Sequence, residues 1–307
     1  MLSDSDFRPV TLDDREIFAR HYELFPQVHS DNTFANMVCW NPYADYRYAF
    51  VQDCIILSST IGGLTRYRPP IGPRSPELLC DLLELAARSD DKNPLVILDP
   101  GSREWISELY PHMQLVPERK YFDYVYLAQD LAELPGKRYL TIRHQLNKFQ
   151  KTCSPQIEKI CRENVGEIEE FLDQWCDWKD CDSDPMLLHE KEAVFFALSH
   201  LERLGLSGIA IRAGGKIGAM SLFEGLNRET ALVHFEKGLP DCKGIYRAIN
   251  AETAKMLAVH YTYINRESDM GVEGIREAKM RYHPHHMEEV HLVKQEDLQI
   301  ALHQGAK

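Results

Sequence analysis

Three stretches of this chain gather residue types that can do chemistry. The first is Gly136-Lys-Arg-Tyr-Leu-Thr-Ile-Arg-His-Gln-Leu-Asn-Lys-Phe-Gln-Lys151. At ~100° per residue, Ile142, Leu146 and Phe149 form one helical stripe, and His144, Lys148 and Lys151 form a second, roughly 200° away. Arg138 and Arg143 lie close to the second stripe. Such a face is either a solvated surface or a contact for phosphate groups. The second stretch is Val233-His-Phe-Glu-Lys-Gly-Leu-Pro-Asp-Cys-Lys-Gly-Ile-Tyr246. A strand ends there and a helix opens at Gly244. Unpaired N–H groups at a helix start bind anions, and a glycine leaves room for the approach. Glu236 at the strand end can take a proton or hold an ammonium. The competing reading is a routine strand-to-helix turn with glycine as cap. In the third, Ile264 to Pro284, Asn265, Arg266, Glu267 and Asp269 crowd behind an apolar strand, and Arg276 and Lys279 follow at i, i+3 on a helix. That pattern is either an anion-binding site or a structural salt-bridge network.

Other chemistries find little support. Asp180-Cys-Asp-Ser-Asp184 alternates like a calcium loop, but Pro185 stands where that loop needs Gly and Lys191 where it needs Glu. His283, His285, His286 and His291 with Glu288 and Glu289 match no standard zinc spacing. No metal is expected. There is no G-x-S-x-G, P-loop or G-x-G-x-x-G, so hydrolase, nucleotide-hydrolysing and dinucleotide-binding readings lack a motif.

The elements that must position these residues repeat. The first half reads as helices at 8–24 and 30–40, strands at 47–52, 54–60 and 64–68, a helix from Pro76, a strand at 95–98, a helix at 102–110 and a closing strand at 121–126. The second reads as a helix at 139–151, a strand at 157–161, helices at 165–179 and 187–204, strands at 208–213, 216–224 and 230–237, a helix at 244–260 and a strand at 261–264. A helix at 272–282, a last strand near 287–293 and a fraying polar tail complete it. Ser75-Pro76-Glu77 is a capped helix start, and Ala213-Gly214-Gly215 is good hairpin chemistry. This order suits an α+β class with mixed sheets, not a doubly wound parallel sheet. At roughly 100–200 residues per domain, 307 residues make two domains. The boundary is expected near 127–135, giving domains 1–127 and 128–307, the second carrying the site.

The formal charge is −12, so any nucleic-acid contact needs cations gathered on one surface. Eight cysteines include no C-x-x-C pair, the N-terminal residues lack an apolar targeting core, and no run approaches ~18 apolar residues. A cytoplasmic location with reduced, buried thiols is the expectation.

The second half resembles the C-terminal domain of phosphatidylglycerol lysyltransferases and its soluble relatives. The resemblance rests on Gly136-Lys137 with Arg143, Asn147 and Phe149. It rests further on Phe235-Glu236-Lys237 with Gly244, Tyr246 and Asn250, and on Asn265-Arg266-Glu267-x-Asp269-x-Gly271-x-x-Gly274-x-Arg276-x-x-Lys279 with Tyr282 and Pro284. The first half matches more loosely, through the 30–40 helix and the 121–126 strand. The resemblance implies a tandem acetyltransferase-type (GNAT-like) fold and acyl transfer, specifically of an aminoacyl group from aminoacyl-tRNA to an amine or hydroxyl. A small molecule or a lipid headgroup would be the acceptor. It implies Glu236 and Asp269 as catalytic residues. Phe235, Lys237, Gly244, Tyr246, Asn250, Asn265, Arg266, Glu267, Arg276 and Lys279 would contact substrate. Arg138, Arg143, His144, Lys148 and Lys151 would contact nucleic acid. No N-terminal membrane domain is evident, which departs from the lipid-modifying members. Acetyl-CoA enzymes open their phosphate loop with Gln or Arg and end it on a small residue. Here Asp241 and Tyr246 take those places. That favours an aminoacyl donor and no cofactor over acyl-CoA, with a CoA-dependent N-acetyltransferase or a non-catalytic binding module as alternatives.

Overall fold

The β-branched and aromatic runs of the sequence form strands, and the capped amphipathic runs form helices. The computed structural model describes residues 2–305. Its strands are β1 (Arg8–Pro9), β2 (Arg47–Val51), β3 (Cys54–Ile61), β4 (Leu64–Tyr67), β5 (Leu95–Leu98), β6 (Val116–Pro117), β7 (Asp123–Leu127), β8 (Gln156–Lys159), β9 (Ser207–Ala213), β10 (Lys216–Gly225), β11 (Thr230–Gly238), β12 (Tyr263–Asn265), β13 (His286–Glu288) and β14 (His291–Val293). Ser75 caps the helix Pro76–Ala86 through Leu78 N at 3.2 Å, and Asp99 caps Pro100–Leu109 through Ser102 N at 2.7 Å.

Two seven-stranded mixed sheets result, ordered β1-β2-β3-β4-β5-β14-β6 and β13-β7-β12-β11-β10-β9-β8. They share a plan. In each, a four-strand antiparallel run ends on a parallel neighbour, β4 with β5 and β11 with β12. An antiparallel strand follows, β14 in one sheet and β7 in the other. The sequence order placed β7 as the closing strand of the first half. Instead it pairs with β12, and the C-terminal β14 takes the matching place beside β5. The single strand expected at 287–293 is two short strands, one in each sheet.

The chain accordingly divides into compact units that are not contiguous: 1–123 with 268–272 and 288–307, and 124–267 with 273–287. Leu79, Leu82, Leu83, Leu95, Leu98 and Ile106 form the centre of the first core with Val293, Leu298 and Ala301. The last two residues lie on the helix Gln295–Gln304, so the tail expected to fray is docked by its apolar face. Tyr124, Tyr126, Ile211, Ile249 and Ile264 belong to the second core.

The cysteine expectation also needs correction. Cys176 and Cys181 form a disulfide, and the other six cysteines are not disulfide-bonded. Asp180, left-handed at φ 56°, turns the chain back after the helix Val165–Lys179 and brings the two Cα atoms to 5.1 Å, within bridging range.

Candidate active site

The second sheet positions its polar residues through one irregularity. The β10–β11 register passes from Leu222↔Phe235 to Phe223↔Val233. His234 is therefore the extra residue of a β-bulge, a device that re-aims side chains next to functional sites. Two residues on, Glu236 Oε1 accepts from Arg266 Nη2 at 2.9 Å. Both side chains are largely withdrawn from water, at 12% and 15% exposure. Asn250, buried on the helix Ile245–Leu257, touches both partners. In one amide orientation its Nδ2 donates to Glu236 Oε2 at 3.4 Å. In the other its oxygen accepts from Arg266 Nη1 at 2.8 Å and from Nη2 and Nε at 3.1 Å, the orientation that better satisfies the guanidinium. Arg266 also lies over the Tyr282 ring, 5.4 Å from its centroid. Burial pulls the Arg266 pKa down, but the charge of Glu236 outweighs it and the guanidinium is held above its ordinary value.

The residue after Arg266 is fastened from every side. Glu267 has φ 57°, a strained conformation for a residue with a side chain. Its N–H donates to Asn265 Oδ1 at 2.7 Å. Its carbonyl accepts from Tyr124 N at 3.2 Å and from Lys279 Nζ at 3.0 Å. Lys279 also donates to the Arg266 carbonyl at 2.5 Å, so it braces this turn, whereas the sequence suggested an anion contact. Its helix is seated by Tyr126 Oη, which donates to the Lys279 carbonyl at 2.9 Å. The Glu267 carboxylate reaches His234 Nδ1 at 3.1 Å, and Glu224 on β10 reaches His234 Nε2 at 2.8 Å. Burial alone would strip the proton from this imidazole, but the two carboxylates raise its pKa to about 10. His234 and Glu224 carry no motif that sequence reasoning could use; the bulge that brings them together is not legible in a strictly alternating strand.

Lys237 is buried, ion-paired to Glu190 at 2.5 Å, with its ammonium 4.2 Å from the Trp175 ring centroid. Trp175 Nε1 donates to Tyr246 Oη at 2.9 Å. Burial is the largest influence on Tyr246 and raises its pKa. Phe235 is buried in the sheet opposite Leu222. Glu190 and Trp175, on helices upstream of the motif, were missed for lack of any local pattern.

Gly244 is explained differently from expectation. Its φ is 105°, and an added Cβ would lie 3.1 Å from the Gln145 carbonyl and 3.3 Å from Phe149 Cβ. The glycine permits close approach of the basic helix, so its open side is filled by protein. Asp269, expected as catalytic, belongs to the first unit. It is fully buried, accepts from Arg119 Nη1 at 3.1 Å and from Gly271 N at 2.8 Å, and so shapes its own loop. Arg276 lies on the helix Glu273–Met280. Among the described residues no His, Cys, Asp or Glu set is grouped to hold a metal ion.

The basic helix is Leu140–Cys153, with Ile142 and Phe149 buried. Its basic residues divide into two groups. Arg143 donates to the carbonyls of Leu134 and, at 2.7 Å, Gly136, and Arg138 pairs with Asp130 at 2.5 Å. These two hold the preceding turn. His144, Lys148 and Lys151 instead line a surface depression of about 380 Å³ with Asn147 and Thr152. No helix among the described residues is long and apolar enough to cross a membrane.

This geometry sits on a chain with recognisable relatives. A conserved protein of unknown function from Bacteroides thetaiotaomicron is 30% identical, with a TM-score of 0.86 over 94% of this chain and 99% of that one. The C-terminal domain of a protein designated lysylphosphatidylglycerol synthetase from Agrobacterium fabrum is 15% identical, with a TM-score of 0.65 over 95% of this chain and 94% of that one. FemX, at 8% identity, gives a TM-score of 0.54 over 96% of this chain and 99% of that one. The latter two likenesses are of fold, and the fold is the tandem GNAT-like one that the repeated strand plan describes. No curated protein matches the chain. The family model for the phosphatidylglycerol lysyltransferase C-terminal domain matches residues 22–294, so the chain belongs to that family.

Proposed function

We propose that the chain is an acyltransferase that moves an aminoacyl group from aminoacyl-tRNA to an amine or hydroxyl. The observation that carries this reading is the buried Glu236–Arg266 pair braced by Asn250, in a chain whose family and fold are those of transferases. The Glu236 carboxylate is held by the guanidinium at 2.9 Å, and each of its oxygens keeps a lone pair beyond its present contacts. As the acceptor's nitrogen or oxygen forms its bond to the aminoacyl carbonyl carbon, Glu236 takes the acceptor's proton. The ester C–O bond then breaks, and the proton passes to the departing ribose oxygen. Arg266 fixes the carboxylate, and the buried surroundings keep water from hydrolysing the ester. The depression where Lys148 and Lys151 lie beside His144 supports an RNA donor, because an acidic protein needs free lysines collected in this way to hold phosphate.

The test is transfer from tRNA charged with labelled amino acids to a panel of amines and hydroxyl compounds, with acetyl-CoA run beside it as the competing donor. Glu236→Gln is expected to lower turnover by about 10²–10⁴ while the circular dichroism spectrum is kept. Turnover equal to wild type in that variant, or transfer from acetyl-CoA alone, overturns the reading.

A further inference from the structure

We propose that His234 is a positioning residue: bridging Glu224 and Glu267, it locks the strained turn that presents Arg266 to Glu236. The inference rests on the acyl-transfer reading for its kinetic consequence and on geometry alone for its structural one.

Both imidazole nitrogens face carboxylate oxygens, at 2.8 and 3.1 Å. A carboxylate can only accept, so satisfying both contacts requires both nitrogens to donate, and the ring must be the imidazolium. The imidazole side chain is 3% exposed, so this cation depends on its two partners and they on it. The partners come from different elements, Glu224 from β10 and Glu267 from the turn after β12. His234 therefore ties a strand to a turn that its own strand does not contact through the β11–β12 pairing, which covers only Thr230 to Leu232.

What is tied matters. Glu267 is held left-handed, and Arg266 immediately precedes it. The Asn265 side chain and Lys279 secure the backbone of that turn, while His234 secures its side chain. Releasing one fastening allows Glu267 to relax its φ, and the relaxation rotates the peptide that carries Arg266. Glu236 would then lose the guanidinium that fixes it. His234 does this through Glu224 and Glu267, with no hydrogen bond of its own to Glu236 or Arg266, and the bulge that inserts it into β11 is the structural cost of placing it there.

Three measurements decide the matter. In wild-type protein, side-chain ¹⁵N resonances of His234 are expected to show two protonated nitrogens unchanged from about pH 6 to 8.5; a titration midpoint near the ordinary histidine value of about 6.5 overturns the bridge. In His234→Gln and Glu267→Gln, hydrogen exchange of the Glu267 amide is expected to quicken about tenfold or more, while amides of the β9–β10 pairing hold. Unaltered exchange in both variants overturns the lock. In transfer assays, His234→Gln is expected to lower kcat about 10–100-fold with KM for the acceptor within about twofold, as misplacement of a reacting group does. A loss confined to thermal stability, with kcat unchanged, would reduce His234 to a structural role and overturn the proposal. If wild-type protein transfers nothing, the acyl-transfer reading fails, and the resonance and exchange measurements still decide what His234 does.

Discussion

Glu236 and Arg266 depend on each other because each is mostly withdrawn from water. Removing one leaves the other as a buried charge with a weakened partner set, which typically costs about 3–5 kcal/mol. Arg266→Ala is therefore expected to destabilise the protein by about that much in urea unfolding. Glu236→Ala/Arg266→Ala should cost clearly less than the sum of the single changes, because neither charge is left behind. Additive costs would show that the pair is not coupled. His234 adds a pH dependence. Its pKa is raised to about 10 in the fold against an ordinary 6.5, so its stabilising contribution is complete below about pH 6.5 and is lost as pH rises through 10. The gap in thermal midpoint between wild type and His234→Gln should be widest at or below pH 6.5 and narrow steadily toward pH 10. A gap that is constant across that range would argue against the buried imidazolium. At this scale the motif residues were legible: Glu236, Arg266 and Asn250 do converge. Their roles were less so, because a sequence shows that Lys279 is a cation but not that two backbone carbonyls already occupy it.

The helix Leu140–Cys153 shows how one element's charges separate into supports and free contacts. Its amphipathic pattern was plain, since Ile142 and Phe149 are buried and the cationic stripe lies elsewhere. The sequence treated Arg138 and Arg143 as part of the nucleic-acid face, but both are spent on the turn before the helix. Arg143→Ala should lower stability, whereas Lys148→Ala/Lys151→Ala should leave it nearly unchanged. The double lysine variant should weaken tRNA binding and reduce the log–log salt slope by about 1 per lysine. A slope equal to wild type would remove this face from the RNA contact. Gly244 belongs to the same element pair. Gly244→Ala forces a Cβ toward the Gln145 carbonyl at a left-handed φ and is expected to cost about 1–3 kcal/mol. The glycine was readable from sequence, but the neighbour that demands it was not, because Gln145 lies about a hundred residues earlier.

Across the whole molecule, the repeated plan was legible and the exchange of its last strands was not. Local pattern shows that 123–127 and 291–293 are strands; it does not show which sheet each one joins. β14 lies between β5 and β6, with Val293 in the first core and Leu298 and Ala301 packed there from the following helix. β7 lies between β13 and β12 and brings Tyr124 and Tyr126 to the second core. A cut at 127, where the element order places the domain boundary, would therefore separate both strands from the sheets they complete. Fragment 1–127 would lack β14, leaving the β5 edge unpaired and Leu95 and Leu98 without the apolar residues that cover them. An unpaired apolar edge is an aggregation template. Fragment 1–127 is thus expected to be unfolded or aggregated by circular dichroism and light scattering. Fusing 288–305 to residue 123 through a long Gly/Ser linker should restore a cooperative transition, because it returns the missing strand and helix without the second unit. Fragment 128–307 should fail for the mirror reason, the loss of β7. Cooperative, native-like unfolding of 1–127 alone would show that the first core closes without β14, and that the strand exchange decorates two self-sufficient domains.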